Sequence, residues 1–149
     1  MSGLRCLVGL AMVVGAVTPV AAQQPVPAGH IKTVSGSAAI VRAGGTVTAR
    51  PGDPIYATDT LRTSADGSIG VTLRDDTRVS LGPNSEVKVD RYVYSPGEGG
   101  LGMVLKFVRG VAVYVSGRMA KIAPDSIRLE APSAIVGVRG TTVAIRVGD

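Results

Sequence analysis

Seven apolar residues in the stretch from Asp59 to Val89, namely Ile69, Val71, Leu73, Val79, Leu81, Val87 and Val89, all occupy odd-numbered positions. Ser68, Gly70, Thr72 and Arg74 stand between the first of them. A period of two marks a strand with one buried face, because successive side chains of an extended chain point to opposite sides. To keep both halves of a hairpin on that face, the connection must contain an odd number of residues. This selects a three-residue loop, Arg74-Asp75-Asp76, with Val71 opposite Val79 and Ile69 opposite Leu81. The last residue of such a loop takes a positive φ, a role natural to glycine that Asp76 fills here at some conformational cost. Ser64-Ala65-Asp66-Gly67 and Gly82-Pro83-Asn84-Ser85 read as turns on either side. The whole stretch reads as a three-stranded meander.

The same grammar runs through the rest of the chain. Ile31 to Ala43, broken at Gly36, reads as one or two short strands, followed by a turn at Ala43-Gly44-Gly45-Thr46 and a brief return over Val47 to Arg50. Arg50-Pro51-Gly52-Asp53-Pro54 is a loop, since two prolines remove backbone donors. Leu101, Met103, Leu105 and Phe107 alternate, with Val104 and Val108 on the other face, as expected of a central strand. After Arg109-Gly110 the inward alternation is expected to continue through Val111, Val113 and Val115. Ile127 and Leu129 mark a further strand before Pro132. Gly140 is expected at a bulge or bend, where inward parity switches from Ala134, Val136 and Val138 to Val143, Ile145 and Val147. No helix longer than a turn or two is expected. The fold class is all-β: a compact sandwich, roll or solenoid-like stack of short, mostly antiparallel strands.

The first residues belong to a different grammar. Arg5 precedes an apolar run from Cys6 to Val17, and Thr18-Pro19-Val20-Ala21-Ala22 offers small residues for cleavage before Gln23. The run is shorter than the roughly 20 residues that span a bilayer. Residues 1–22 are therefore expected to be a signal peptide, 23–31 a flexible lead and 32–147 one all-β domain, located in the periplasm or secreted. No transmembrane anchor is expected after cleavage.

Several function classes are disfavoured by composition. Cys6 is the one cysteine, so loss of the leader removes disulfides, thiol catalysis and cysteine metal sites together. The net charge is +5, but the basic residues are spread along the strands. The aromatic residues are only Tyr56, Tyr92, Tyr94, Phe107 and Tyr114, too few and too scattered for a nucleic-acid stacking surface. Ser85-Glu86-Val87-Lys88 matches Ser-x-x-Lys, yet residues three apart on a strand face opposite ways. Asp53, Asp59, Asp66, Asp75 and Asp76 are explained by turns, where aspartate bonds its own backbone, in preference to a calcium site. His30 has no partner for a triad or a zinc site, and nothing in the sequence brings Glu86 and Glu130 together. No enzyme activity, metal or cofactor is expected.

Gly52-Asp53, Asp59-Thr60-Leu61-Arg62-Thr63, Asp66-Gly67-Ser68, the Leu73 to Leu81 hairpin, Pro83-Asn84-Ser85, Val108-Arg109-Gly110-Val111, and Ala131-Pro132 through Val138-Arg139-Gly140-Thr141 follow one another in an order that resembles the FecR domain family. That family is the periplasmic part of iron-transport signal regulators. The matches span almost all of Lys32 to Val147. Asp76 stands where the family usually has glycine, and Thr142-Val143 where an acidic residue and an aromatic commonly follow Gly-Thr. The regulators carry a cytoplasmic anti-sigma segment and a membrane helix before this domain, whereas an export signal is expected here. The resemblance implies an all-β periplasmic module that recognises something, without implying transmembrane signalling. Extended sheets without catalytic groups offer an open edge for β-strand addition and their loops, so the leading expectation is a non-catalytic protein-interaction or sensing module whose partner is an envelope protein. A glycan or cell-wall binder using Tyr92 and Tyr94 as sugar platforms, and a self-associating structural protein, are the alternatives. Arg139, Tyr92 and Tyr94 are the candidate partner contacts; Asp76, Gly137, Gly140 and Thr141 are the structural motif positions.

Overall fold

A computed structural model describes residues 3, 15–19, 25–132, 134–137 and 142–148. The backbone is organised by one strand of 16 residues, β9 (Gly100–Val115). The other strands are β1 (Gly29–Ser35), β2 (Ala38–Arg42), β3 (Gly45–Thr48), β4 (Pro54–Ile55), β5 (Thr60–Thr63), β6 (Ser68–Leu73), β7 (Arg78–Leu81), β8 (Glu86–Ser95), β10 (Ile127–Ala131), β11 (Ala134–Gly137) and β12 (Thr142–Val147). A five-residue helix α1 (Arg118–Ile122) and two 3-10 turns complete the described secondary structure.

β9 belongs to two wings at once. Its first part pairs with β8 and with β10, and its last six residues pair with β12, four of them also with β7. One wing runs β3-β2-β5-β8-β9-β10-β11, and the other runs β4-β1-β6-β7-β9-β12. We call them the β5 wing and the β6 wing. They curl about β9 into a half-barrel. All pairs are antiparallel except β9 with β10, whose parallel arrangement requires the chain to cross back, here through α1 and the 3-10 turn Pro124–Ser126. The two wings share one core that includes Ile31, Ile40, Leu61, Leu105, Tyr114 and Leu129.

The hairpin register expected from parity is present: Ile69 faces Leu81 and Val71 faces Val79, and Leu73 N–H donates to Thr77 C=O (2.8 Å) around Arg74-Asp75-Asp76. Asp76 has φ 67°. Its carboxylate also meets Arg118 at 2.8 Å, with both side chains largely exposed. That exposed pair is worth about 0–1 kcal/mol. In an Arg118→Ala background, which removes it, Asp76→Gly should therefore raise stability by a few tenths to about 1 kcal/mol, and Asp76→Val should lower it. Urea unfolding tests this, and a glycine variant less stable than its parent would refute the loop assignment.

Three expectations need correction. The seven odd-numbered apolar residues are all buried, but they do not form a meander. β7 lies between β6 and β9, whereas β8 lies between β5 and β9 in the other wing. Parity is blind to this difference, because a strand beside its neighbour and a strand across the core bury the same positions. The inward alternation also does not continue through Val111, Val113 and Val115: Ala112 and Tyr114 are buried instead, and Val111 is 39 % exposed. Gly110, at φ 87°, bends β9 and exchanges its faces. Finally, the flexible lead expected over 23–31 ends earlier. Ala28 is buried, and Gly29 and His30 pair with both β4 and β6, so ladder hydrogen bonds hold this segment in the sheet.

The junction Ala22/Gln23 and residues 6–14 of the apolar run lie outside the described residues. Among the described residues, no helix is long and apolar enough to cross a membrane.

Candidate interaction surfaces

The hairpin loop is fixed from beneath by Asp75, which is fully buried. Its carboxylate accepts hydrogen bonds from Thr77 N–H (3.2 Å) and Thr77 Oγ1 (2.7 Å), from the Tyr92 hydroxyl (3.0 Å) and from Met119 N–H (3.3 Å). The Tyr92 oxygen in turn accepts from Asp75 N–H at 3.0 Å. One carboxylate thus joins the β6–β7 loop, β8 and α1. Each of these donors is buried, so the carboxylate supplies acceptors that water cannot reach. This is scaffold chemistry with no open face for a substrate.

Tyr92 therefore does not form an exposed sugar platform. It is 8 % exposed, its hydroxyl is engaged, and the Arg74 guanidinium lies 5.5 Å from its ring centroid. Tyr94 is only partly buried and packs against the core. Burial, reinforced by the Asp75 charge, pushes the Tyr92 phenol far above its usual value, and burial raises Tyr114 as well. A group whose ionisation is resisted only in the folded state stabilises the fold below its unfolded pKa, about 10 for tyrosine. That contribution is lost as pH rises beyond it. Stability should fall above about pH 10, by about 1.4 kcal/mol per pH unit for each resisting tyrosine. In Tyr92→Phe the slope should be shallower by about one proton, measured as urea midpoint against pH; an unchanged slope would contradict the assignment.

Arg139, Gly140 and Thr141 lie outside the described residues, and the backbone of Gly137 ends β11, opposite Arg128 of β10. Ser85 is fully buried and its hydroxyl is bonded to the backbone of Val111 (2.9 and 3.0 Å). Lys88 is about half exposed and pairs with Asp90, so the Ser-x-x-Lys match is accidental. The aspartates do serve turns: Asp53 accepts from Arg50 N–H (2.9 Å) and Asp59 from Tyr56 N–H (2.9 Å). Among the described residues no group of three or more His, Cys, Asp or Glu is placed to hold a metal.

The outer face of the β5 wing is a ladder of opposed charges. Glu86 meets Arg62 (2.7 Å) and Arg109 (3.9 Å). Asp90 meets Lys88 and Lys106 (3.6 Å each), and Glu130 meets Lys106 (3.9 Å) and Arg128 (3.6 Å). Neighbouring positions along and across the strands bring these residues side by side, so each of the three carboxylates is shared by two cations.

β3 is one of the two edges of this wing, β11 being the other. Among the described residues β3 pairs only with β2, through a hairpin in which Arg42 faces Gly45 and Ile40 faces Val47. A two-residue connection closes on a hydrogen-bonded pair, so these are the bonded positions. The backbone groups of Thr46 and Thr48 consequently point away from β2. All four β3 residues are exposed, with Val47 at 47 %, and a shallow cleft of about 470 Å³ beside them is bounded by Arg50 and Asp53. The strand contains no proline, charge or bulge, the usual devices that blunt an edge. Of the other edges, β4 has two residues, β12 carries the exposed Arg146, and β11 closes the far end of the β5 wing beside β10. The sequence alone marks a brief strand here without showing which edge stays open.

A family model described as FecR protein matches residues 59–149, more than half of the chain. The chain belongs to the FecR family. No curated protein matches it, and no solved structure matches it. Most of the FecR-matched region consists of strands that build the two wings around β9, whereas β1 to β4, including the open β3 edge, precede it. The family is regulatory and non-enzymatic, and its members serve sensing or signal transduction in the envelope.

Proposed function

We propose that this FecR-family chain is an exported, non-catalytic module that senses or binds an envelope protein by accepting one of its strands along β3. The observation that carries this reading is the unprotected β3 edge, where the outward backbone groups of Thr46 and Thr48 stand beside a cleft. Main-chain hydrogen bonds would supply affinity, and the cleft would receive alternate side chains of the incoming strand.

A photo-crosslinking side chain at Val47, introduced in cells that produce the protein, tests the edge directly. Capture of a defined envelope protein, lost on Thr48→Pro, is the expected result. Proline there removes a donor that points away from β2, so the β2–β3 ladder is retained. Capture of a second copy of the chain would favour the self-associating reading instead. No capture at Val47 together with strong capture from β12 would overturn the β3 assignment. Export with cleavage before Gln23 is part of the same proposal, and mass spectrometry of the native protein should find Gln23 as its first residue.

A further inference from the structure

The outer face of the β6 wing differs in kind from that of the β5 wing. Register places His30, Thr72, Arg78, Val115 and Thr142 in one row across five strands. A second row runs Thr33, Gly70, Ser80, Val113 and Ala144. Val111 and Arg146 face each other beyond it, and Lys32, at the β1 irregularity, is exposed. The inward rows between them, such as Ile31, Val71, Val79 and Tyr114, are buried, so these residues point away from the core.

Three full cations, Lys32, Arg78 and Arg146, stand on this face with no Asp or Glu at any of its strand positions. None of the three takes part in an ion pair among the described residues. On the β5 wing, by contrast, Arg62, Lys88, Lys106, Arg109 and Arg128 all have carboxylate partners, and among its described strand cations Arg91 alone is exposed without one. Of the carboxylates nearest in sequence to the three cations of the β6 wing, Asp76 is engaged by Arg118, Asp75 is buried, and Asp149 lies outside the described residues. The remaining side chains are small, with partly exposed valines between the cations. Both described clefts lie elsewhere.

We infer that this face docks on the anionic surface of a lipid bilayer. Its geometry selects that occupant. A folded protein partner is held by anchors seated in pockets, whereas neither described cleft lies on this face and its rows carry no Phe, Tyr or Trp. A second copy would bring like charges together. A bilayer presents phosphates spread over a plane, which unpaired guanidinium and ammonium groups meet without shape complementarity, and Val111 and Val113 lie where an apolar headgroup boundary would receive them. Each cation near such a surface contributes about a fivefold gain in binding, which falls as salt rises.

The test is sedimentation of the full native protein with vesicles of phosphatidylethanolamine and phosphatidylglycerol, compared with vesicles of phosphatidylcholine. Preferential binding to the anionic vesicles is expected, weakened by salt and lowered on the order of twentyfold in the Arg78→Gln/Arg146→Gln variant. Lys88→Gln/Lys106→Gln removes the same charge from the opposite wing and should change binding little. Equal binding to both vesicle types, equal loss in the two double variants, or a normal response of the arginine variant would each overturn the inference. Binding of soluble polyphosphate with no binding of anionic vesicles would do the same, because it would identify a free polyanion as the ligand.

Discussion

Gly110→Val should leave no cooperatively folded protein, or cost more than about 4 kcal/mol if a folded fraction survives. The residue has φ 87°, a region that β-branched residues avoid. Space is the larger obstacle. A Cβ at this position would collide with Ser85 Oγ, and would lie 2.5 Å from Ser85 Cα and 2.7 Å from Asn84 O. Those atoms cannot withdraw. The Ser85 hydroxyl is tied to Val111, and its N–H donates to Thr63 Oγ1 at 2.9 Å, while Thr63 Oγ1 donates to Gly82 C=O at 2.6 Å. The bend of β9, the turn between β7 and β8, and the end of β5 are therefore one knot. Gly99 provides the control, since it has φ 73° but nothing within 4 Å of the point where a Cβ would stand. Gly99→Ala should cost about 1–2 kcal/mol, the backbone strain alone. Circular dichroism and urea unfolding separate the two, and a Gly110→Val protein with a midpoint near that of the wild type would disprove the bend.

Asp75→Ala should cost about 3–5 kcal/mol, the scale seen when one partner of a buried charged network is removed. The loss is not of a single contact. Thr77 N–H, Thr77 Oγ1, the Tyr92 hydroxyl and Met119 N–H would all lose their acceptor, and a buried unsatisfied donor costs about 1–3 kcal/mol. Asp75→Asn keeps the shape but turns an amide NH₂ toward donors, so it should fall between alanine and wild type. Tyr92→Phe should cost about 1–2 kcal/mol, because it removes only the hydroxyl that links Asp75 N–H to the carboxylate. Urea midpoints give the order, and an alanine variant within about 1 kcal/mol of wild type would show that the loop stands without the carboxylate.

The local features of this protein were legible from residue types. Odd-numbered apolar residues specified the β6–β7 register and the three-residue loop, and with them the φ of Asp76, because the side-chain period of a strand is two and a loop of the wrong length would reverse its faces. The implausibility of Ser85 with Lys88 followed from the same periodicity, and the turn aspartates from the readiness of that side chain to bond its own backbone. The Asp75-Asp76-Thr77 order also contained the signal for the buried hub, since aspartate readily bonds the backbone two residues on. Its further partners, Tyr92 and Met119, lie far along the chain and left no local trace.

What only the tertiary structure decided is which strands are neighbours. β8 could have extended the β6–β7 hairpin or faced it across the core, and Val87 and Val89 would be buried either way. The choice rests on the Thr63–Ser85–Gly110 knot, whose three residues come from distant parts of the chain. The same knot turned Ala112 and Tyr114 inward where alternation had favoured Val111, Val113 and Val115. Edges and faces follow from the neighbours: β3 is open because no described strand pairs beyond it, and Arg78 and Arg146 share a face only because β7 and β12 flank β9. Sequence by itself determined periodicity, turns and family, which are encoded within a few residues; partner order and surface charge pattern are properties of contacts between distant segments, and only the folded chain brings those together.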